Sequence, residues 1–275
     1  MGAILRKLLY ETTSAADAEY VENRKRCEKR RMNIAVIFAG GVGSRMHSKD
    51  RPKQFLELYN KPIIIHTLEH FENHPMIDAI VVVCVKEWID YLNDLLYKYR
   101  IEKVKKVVPG GETGQLSIYN GLIAAKEIAG SERAIVLIHD GVRPLINEKL
   151  ISDNIASVKA HGSAITTAKV KETILVVNEG TSSIDYVPDR SNSRVAKAPQ
   201  SFYLEDILSA HERALAEGVK NCIDSCTMMQ KYGYNLYLID GPGENIKITT
   251  PEDFYTMRAI LEAKENAQIY GMDEK

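Results

Sequence analysis

The sequence predicts one α/β domain, with a mostly parallel sheet, helices on both faces and an inserted β-hairpin arm. Three observations carry this. Runs that are apolar at nearly every position, such as "NIAVIFAG" and "AIVVVCV", suit strands buried on both faces. Between them stand segments with apolar residues at helical spacing, such as "IIIHTLEHFENH" and "LSIYNGLIAAKEIA". The regular alternation of the two describes βαβ units, and those build a parallel sheet.

The elements follow in order from Asn33. "NIAVIFAG" is a first strand that ends in glycine, and "IIIHTLEHFENH" is a first helix. "AIVVVCV" is a second strand, followed by a helix in "KEWIDYLNDLLYKYR" and a short strand in "KKVVPG". A helix in "LSIYNGLIAAKEIA" then precedes the strand "AIVLIHD". Residues 164–190 break the pattern, with β-branched runs on either side of the turn signal "NEGTSS". They predict a hairpin inserted after a helix. A two-stranded excursion cannot bury its own faces, so it must pack on something, a second subunit being the natural candidate. A helix over 204–217, a strand in "NLYLID", a short strand in "NIKIT" and a closing helix opened by "PED" complete the chain. Proline suits the first helical position because its missing N–H is not needed there.

Composition narrows the function. The 275 residues carry 36 Lys and Arg against 37 Asp and Glu, a net charge of -1, so the basic field of a nucleic-acid binder is absent. The four cysteines show no CxxC or Cys/His spacing, Cys84 sits in an apolar run, and a reducing cytoplasm is the expected setting. Residues 1–31 read as an extension, flexible or helical. Its "GAILRKLLY" is too short and too charged to span a membrane, and its "RKRCEKRR" suits a solvated tail. The domain itself is expected over 32–267, with a tail at 268–275. No nucleic-acid or membrane partner is expected.

The chemistry gathers where the first strand stops. Ligands of parallel sheets sit at the carboxyl ends of the strands. Ala39 ends that strand and is followed by Gly40, Gly41 and Gly43, then Arg45 and Lys53. Glycine lets backbone N–H groups approach phosphate oxygens, and the two cations would neutralise them. A Walker A loop is absent, and GxGxxG lacks its third glycine. A tight turn with incidental cations is the bland reading. The positions of Arg45 and Lys53 favour a triphosphate. Asp140 ends the strand "AIVLIHD", and a hard oxygen there suits Mg²⁺, the alternative being a turn-forming Asp before Gly141.

"AGGVGSRM" with "PKQF" resembles the cytidylyltransferases that activate small polyol phosphates, namely the 2-C-methyl-D-erythritol 4-phosphate and ribitol-5-phosphate cytidylyltransferases. The resemblance recurs in order at "GGETGQLSIYNGL", "HDGVRP", "VKET", "VPDR", "APQSF" and "ENIKITTPED". It implies a Rossmann-like domain of the nucleotide-diphospho-sugar transferase type, acting in a cytoplasmic homodimer. The reaction it implies transfers CMP from CTP to a polyol phosphate and releases pyrophosphate. Products of the two branches feed isoprenoids in one case and teichoic acid or capsule precursors in the other.

By resemblance, Arg45, Lys53 and Lys247 are catalytic, holding the triphosphate and the α-phosphate. Ala39, Gly40, Gly41, Gly43, Gly110, Gly111 and Ser117 bind the nucleotide, with Ser117 near the cytosine. Asp140 holds Mg²⁺. Arg143, Thr173 and Arg190 bind the acceptor, Arg143 equally well bracing its loop, and the arm residues Thr173 and Arg190 act in the partner's site. Four positions depart from the family pattern. Gly114 stands for an arginine, Leu116 for an acidic residue, Ala198 for a threonine and Ile223 for a hydroxyl residue. "AGGVGSRM", "KPIIIHTLE", "VPDR" and "DSC" lean to the ribitol branch. The alternatives are the methylerythritol branch and a non-catalytic CTP-binding relative.

Overall fold

The strand β1 (Met32–Ala39) divides its side chains between two cores, Ile34 and Val36 on one side and Ala35 and Ile37 on the other. That division fixes the architecture, because each face then needs its own cover. The computed structural model describes residues 31–40 and 51–270, the side chains of 267–270 excepted. The extension over 1–30, the loop over 41–50 and the end of the tail lie outside the described residues.

A small hairpin of β2 (Glu57–Leu58) and β3 (Lys61–Pro62) leads into α1 (Ile63–Glu72), β4 (Ala79–Cys84), α2 (Ile89–Lys98) and β5 (Val104–Pro109). Then come α3 (Gly114–Ala129), β6 (Ala134–Asp140), α4 (Glu148–His161) and β7 (Ser163–Lys169). The short strands β8 (Val176–Val177) and β9 (Ile184–Tyr186) pair with each other. Next come β10 (Arg194–Tyr203), α5 (Leu204–Ala216), α6 (Ser225–Lys231), β11 (Leu238–Asp240) and the closing α7 (Pro251–Tyr270).

Seven strands form the central sheet, in the order β11-β7-β10-β6-β1-β4-β5. All neighbours run parallel except β10, which is antiparallel to both β6 and β7. Helices α1, α2 and α4 cover the face of Ala35 and Ile37, and α3, α5 and α6 cover the face of Ile34 and Val36. Each fully buried branched side chain in these layers contributes about 1.5–3 kcal/mol. Three helices open on side-chain caps: Thr113 accepts from the Leu116 N–H, Asn147 from Leu150 and Asp224 from Thr227. Such a cap is worth about 1 kcal/mol.

The expected helices and parallel strands are present, with four differences. "NIKIT" is a loop, because the Ile248 N–H bonds the Val142 carbonyl while its side chain is buried beneath Met257. Only Leu238–Asp240 of "NLYLID" pairs. Of the expected hairpin, Ser163–Lys169 belongs to the central sheet, and the excursion proper runs from there to β10. Helix α7 continues to Tyr270, into the segment expected as tail.

Candidate active site

Because β1, β4, β5 and β6 are parallel neighbours, Ala39, Cys84, Pro109 and Asp140 end at one edge of the sheet. There the loop after β1 meets the loop after β5. A Cβ on Gly40 would lie 3.3 Å from Ser117 Oγ and 3.5 Å from Gly110 Cα, and one on Gly110 would lie 3.2 Å from the same hydroxyl. The two backbones therefore touch with no room for side chains, leaving their amide edges as the floor of a cradle. The Ser117 hydroxyl accepts from the Gly111 N–H at 3.0 Å and donates to the Thr113 carbonyl at 2.9 Å. It ties the glycine loop to α3 and is nearly buried. Gly41, Gly43 and Arg45, expected here from the sequence, lie outside the described residues.

"PKQF" explains how Lys53 reaches this edge. Gln54 is buried and donates to the Ala39 carbonyl at 2.6 Å, and Phe55 is sealed against Trp88 and Tyr91 at ring separations of 5.1 and 5.3 Å. With its two neighbours anchored, Lys53 projects toward the 245–248 loop, and its Nζ donates to the Ile248 carbonyl at 2.9 Å.

Asp140 is the electrostatic centre. Lys247 Nζ lies 2.6 Å from its Oδ1, and Arg143 Nε lies 2.7 Å from its Oδ2. The Asp140 side chain is 7% exposed, that of Arg143 12% and that of Lys247 39%. Burial pushes the Asp140 carboxyl up, but the charges and hydrogen bonds of Lys247 and Arg143 outweigh it and bring it down to about 2. The carboxylate is therefore ionised at any physiological pH. Arg143 also donates to the Asn245 carbonyl at 3.0 Å, and buried Asn245 donates to the Ala198 carbonyl at 2.7 Å. One network thus links β6, the 245–248 loop and the middle of β10. His139 is wholly buried, bonds the Arg143 carbonyl at 3.0 Å and is held near 4 chiefly by burial, so it is a neutral brace.

Asp140, Arg143 and Lys247 line one cavity of about 230 Å³, together with Phe38, Ala198 and Gln200 among others. The departures Gly114, Ala198 and Ile223 line the same cavity, whereas Leu116 does not. Sequence reasoning missed Lys197, which also lines it. Burial lowers the Lys197 pKa, and the charges of Arg143 and Lys171 lower it further. Its signal was the position directly before "APQ", hidden because an isolated lysine reads as surface. Thr173 and Arg190 stand apart. Both are exposed on the arm, the Arg190 side chain donates to the Lys171 carbonyl at 3.4 Å, and neither lines this cavity.

The donor set also bears on a metal. Among the described residues no three His, Cys, Asp or Glu side chains cluster as metal ligands. One ionised carboxylate with lone pairs beyond its two ion pairs suits a cation that takes its other oxygens from phosphate and water, as magnesium does.

The model of the IspD family, 2-C-methyl-D-erythritol 4-phosphate cytidylyltransferase, matches residues 33–263. The chain belongs to the IspD family. Among relatives of this IspD-family chain, a ribitol-5-phosphate cytidylyltransferase of Streptococcus agalactiae serotype III is 57% identical over 241 residues, covering 88% of this chain and 100% of that protein. One from Vibrio parahaemolyticus is 58% identical, covering 87% and 100%. A 2-C-methyl-D-erythritol 4-phosphate cytidylyltransferase of Clostridium botulinum is 40% identical over 230 residues, covering 84% and 97%. The crystal structure of 4-diphosphocytidyl-2C-methyl-D-erythritol synthase from Anaerococcus prevotii shares the fold with a TM-score of 0.73 at 28% identity, covering 84% of this chain and 96% of that one. As in those IspD-family enzymes, the activity is that of a nucleotidyltransferase. No helix among the described residues is long and apolar enough to cross a membrane.

Proposed function

We propose that this protein transfers CMP from CTP to ribitol 5-phosphate, releasing pyrophosphate. The observation that carries this is the single cavity in which Asp140, Arg143 and Lys247 converge beside the Gly40–Gly110 cradle. The identity of 57% over 241 residues to a named ribitol-5-phosphate cytidylyltransferase supports the choice of acceptor.

The reaction needs little proton chemistry. A phosphate monoester loses its second proton near pH 6, so the acceptor already carries a nucleophilic oxygen at neutral pH. That oxygen attacks the α-phosphorus of CTP, and the bond to the bridging oxygen of the β-phosphate breaks. The obstacle is repulsion between two polyanions. Fixed cations meet it without reorganising at the moment of reaction. Lys53 and Arg45 hold the triphosphate and the departing pyrophosphate, and Lys247 aligns the α-phosphate with the acceptor. Arg143 braces Asp140 and faces the acceptor, and Lys197 adds charge to the same wall. The Gly40 and Gly110 backbones, with Ala39, Gly41, Gly43 and Gly111, cradle the nucleotide while Ser117 fixes the loop against the base. Asp140 would hold Mg²⁺, which when bound neutralises charge shared between phosphate oxygens.

The working unit is a homodimer with composite sites. Its support is the arm, where Leu175, Val177, Ile184, Tyr186 and Val187 are all exposed, an apolar surface that two short strands cannot bury alone. Thr173 and Arg190 then serve the partner's acceptor phosphate, Arg190 by its bidentate fork.

One assay tests both parts. With CTP and Mg²⁺, pyrophosphate release is expected with ribitol 5-phosphate and to be slower with 2-C-methyl-D-erythritol 4-phosphate. CTP binding without turnover of any polyol phosphate would instead mark a non-catalytic relative. Mixing inactive Lys247→Met and Arg190→Ala chains should restore about a quarter of the wild-type rate, since half of the two-fold dimers would regain one intact site. No recovery would refute the composite site.

A further inference from the structure

The cavity that holds the charged cluster also has a recess wall of buried residues, which includes Ile118, Met228 and His211. Most polar side chains of that wall are committed elsewhere. Gln115 donates to the Val219 carbonyl and accepts from the Cys222 N–H. Gln200 donates to Asp224 and accepts from the Cys226 N–H, and Asp224 caps α6. His211 differs. It is 1% exposed, and neither Nδ1 nor Nε2 has a hydrogen-bond partner. A stacking contact with Tyr119, at 5.6 Å and 28° between the rings, holds its orientation. Burial keeps it near 4, so at neutral pH one nitrogen donates and the other accepts.

Two small residues line this recess. Gly114 lines it, and a Cβ there would meet nothing within 4 Å. Ala198 presents only a methyl. The lining thus combines these small residues with an imidazole whose two nitrogens have no partner. Buried polar groups without partners are costly, and a ligand hydroxyl relieves that cost.

We propose that this recess is the distal half of the acceptor site, and that His211 selects a five-carbon polyol phosphate by hydrogen-bonding the hydroxyls farthest from its phosphate. This rests on the cytidylyltransferase reading. Ribitol 5-phosphate carries one CHOH unit more along its chain than a tetritol 4-phosphate. A phosphate anchored by the cationic cluster therefore sends that extra unit inward. An apolar recess would reject the hydroxyl only weakly, whereas a site that hydrogen-bonds it discriminates steeply against the shorter analogue.

The test compares kcat/KM for ribitol 5-phosphate and erythritol 4-phosphate at saturating CTP in wild type, His211→Leu and Gly114→Arg. The second variant fills the recess from its open rim and serves if the buried substitution prevents folding. The pentitol-to-tetritol ratio is expected to fall at least about tenfold in each folded variant, while the KM for CTP stays within about twofold, because one buried hydrogen bond is worth roughly that factor. Turnover of ribitol 5-phosphate with an unmoved ratio in both variants overturns the role of the recess alone. Absence of turnover with every polyol phosphate overturns the underlying reading and this one with it.

Discussion

Replacing Lys247 with methionine is expected to lower the CTP-dependent rate of pyrophosphate release about 10²–10³-fold, the loss typical of one preorganised group that meets transition-state charge. The loss should fall mainly on kcat, because in the proposed reaction the ammonium would serve the α-phosphate as it gains charge rather than the resting substrate. The position supports this. Lys247 is half-exposed, its backbone is fixed by the Ile248–Val142 hydrogen bond, and its Nζ sits on Asp140 Oδ1. Methionine keeps the length of the stem, so the fold should survive. Lys53→Met should lose a similar factor, since its Nζ lies on the next residue's carbonyl and completes the same cationic wall. Steady-state kinetics check both. Rates within about threefold of wild type would remove these lysines from the chemistry.

The second large effect belongs to Asp140→Asn, which should cost both activity and stability. Arg143 is nearly buried and would lose its ionised partner, a change worth about 3 kcal/mol when a buried pair is broken. At roughly 2–4 °C per kcal/mol for a domain of this size, the midpoint of thermal unfolding should drop by roughly 6–12 °C. The effect depends on pH in a fixed direction. The folded carboxyl titrates near 2, below its ordinary 3.8, so its contribution is complete above about pH 4 and fades as pH falls through 2. The gap between wild type and variant should therefore be full at pH 7 and narrower at pH 3, measured by urea midpoints. An equal gap at both would mean that the charge is not what stabilises the site. Activity should fall by at least about 10²-fold, with a weaker dependence on Mg²⁺.

The sequence displayed the scaffold because burial is written into it position by position. Ile34 and Val36 against Ala35 and Ile37 show a strand with two covered faces, and glycine or aspartate at the strand ends marks the sheet edge where the candidate site gathers. The failures share a cause. "RVAKAPQSFY" carries Pro199 and a β-bulge, so no periodicity marked β10 as the reversed strand between β6 and β7. "NIKIT" alternates like a strand, yet one isoleucine packing under α7 accounts for its pattern. At the site, Asp140, Lys247 and Lys53 were legible from motifs. The Arg143–Asn245–Ala198 chain, the Lys197 charge and the unpartnered His211 were not. Each depends on contacts between residues far apart in the chain, which local pattern does not encode.

A glycine-floored cradle and the cations around Asp140 are expected to receive the triphosphate of CTP. A crystal structure with CTP and Mg²⁺ measures this directly. Phosphate oxygens are expected within hydrogen-bond reach of Lys53 and Lys247, the metal on Asp140 and the chain of phosphates over Gly40 and Gly110. A triphosphate bound away from these residues would contradict it.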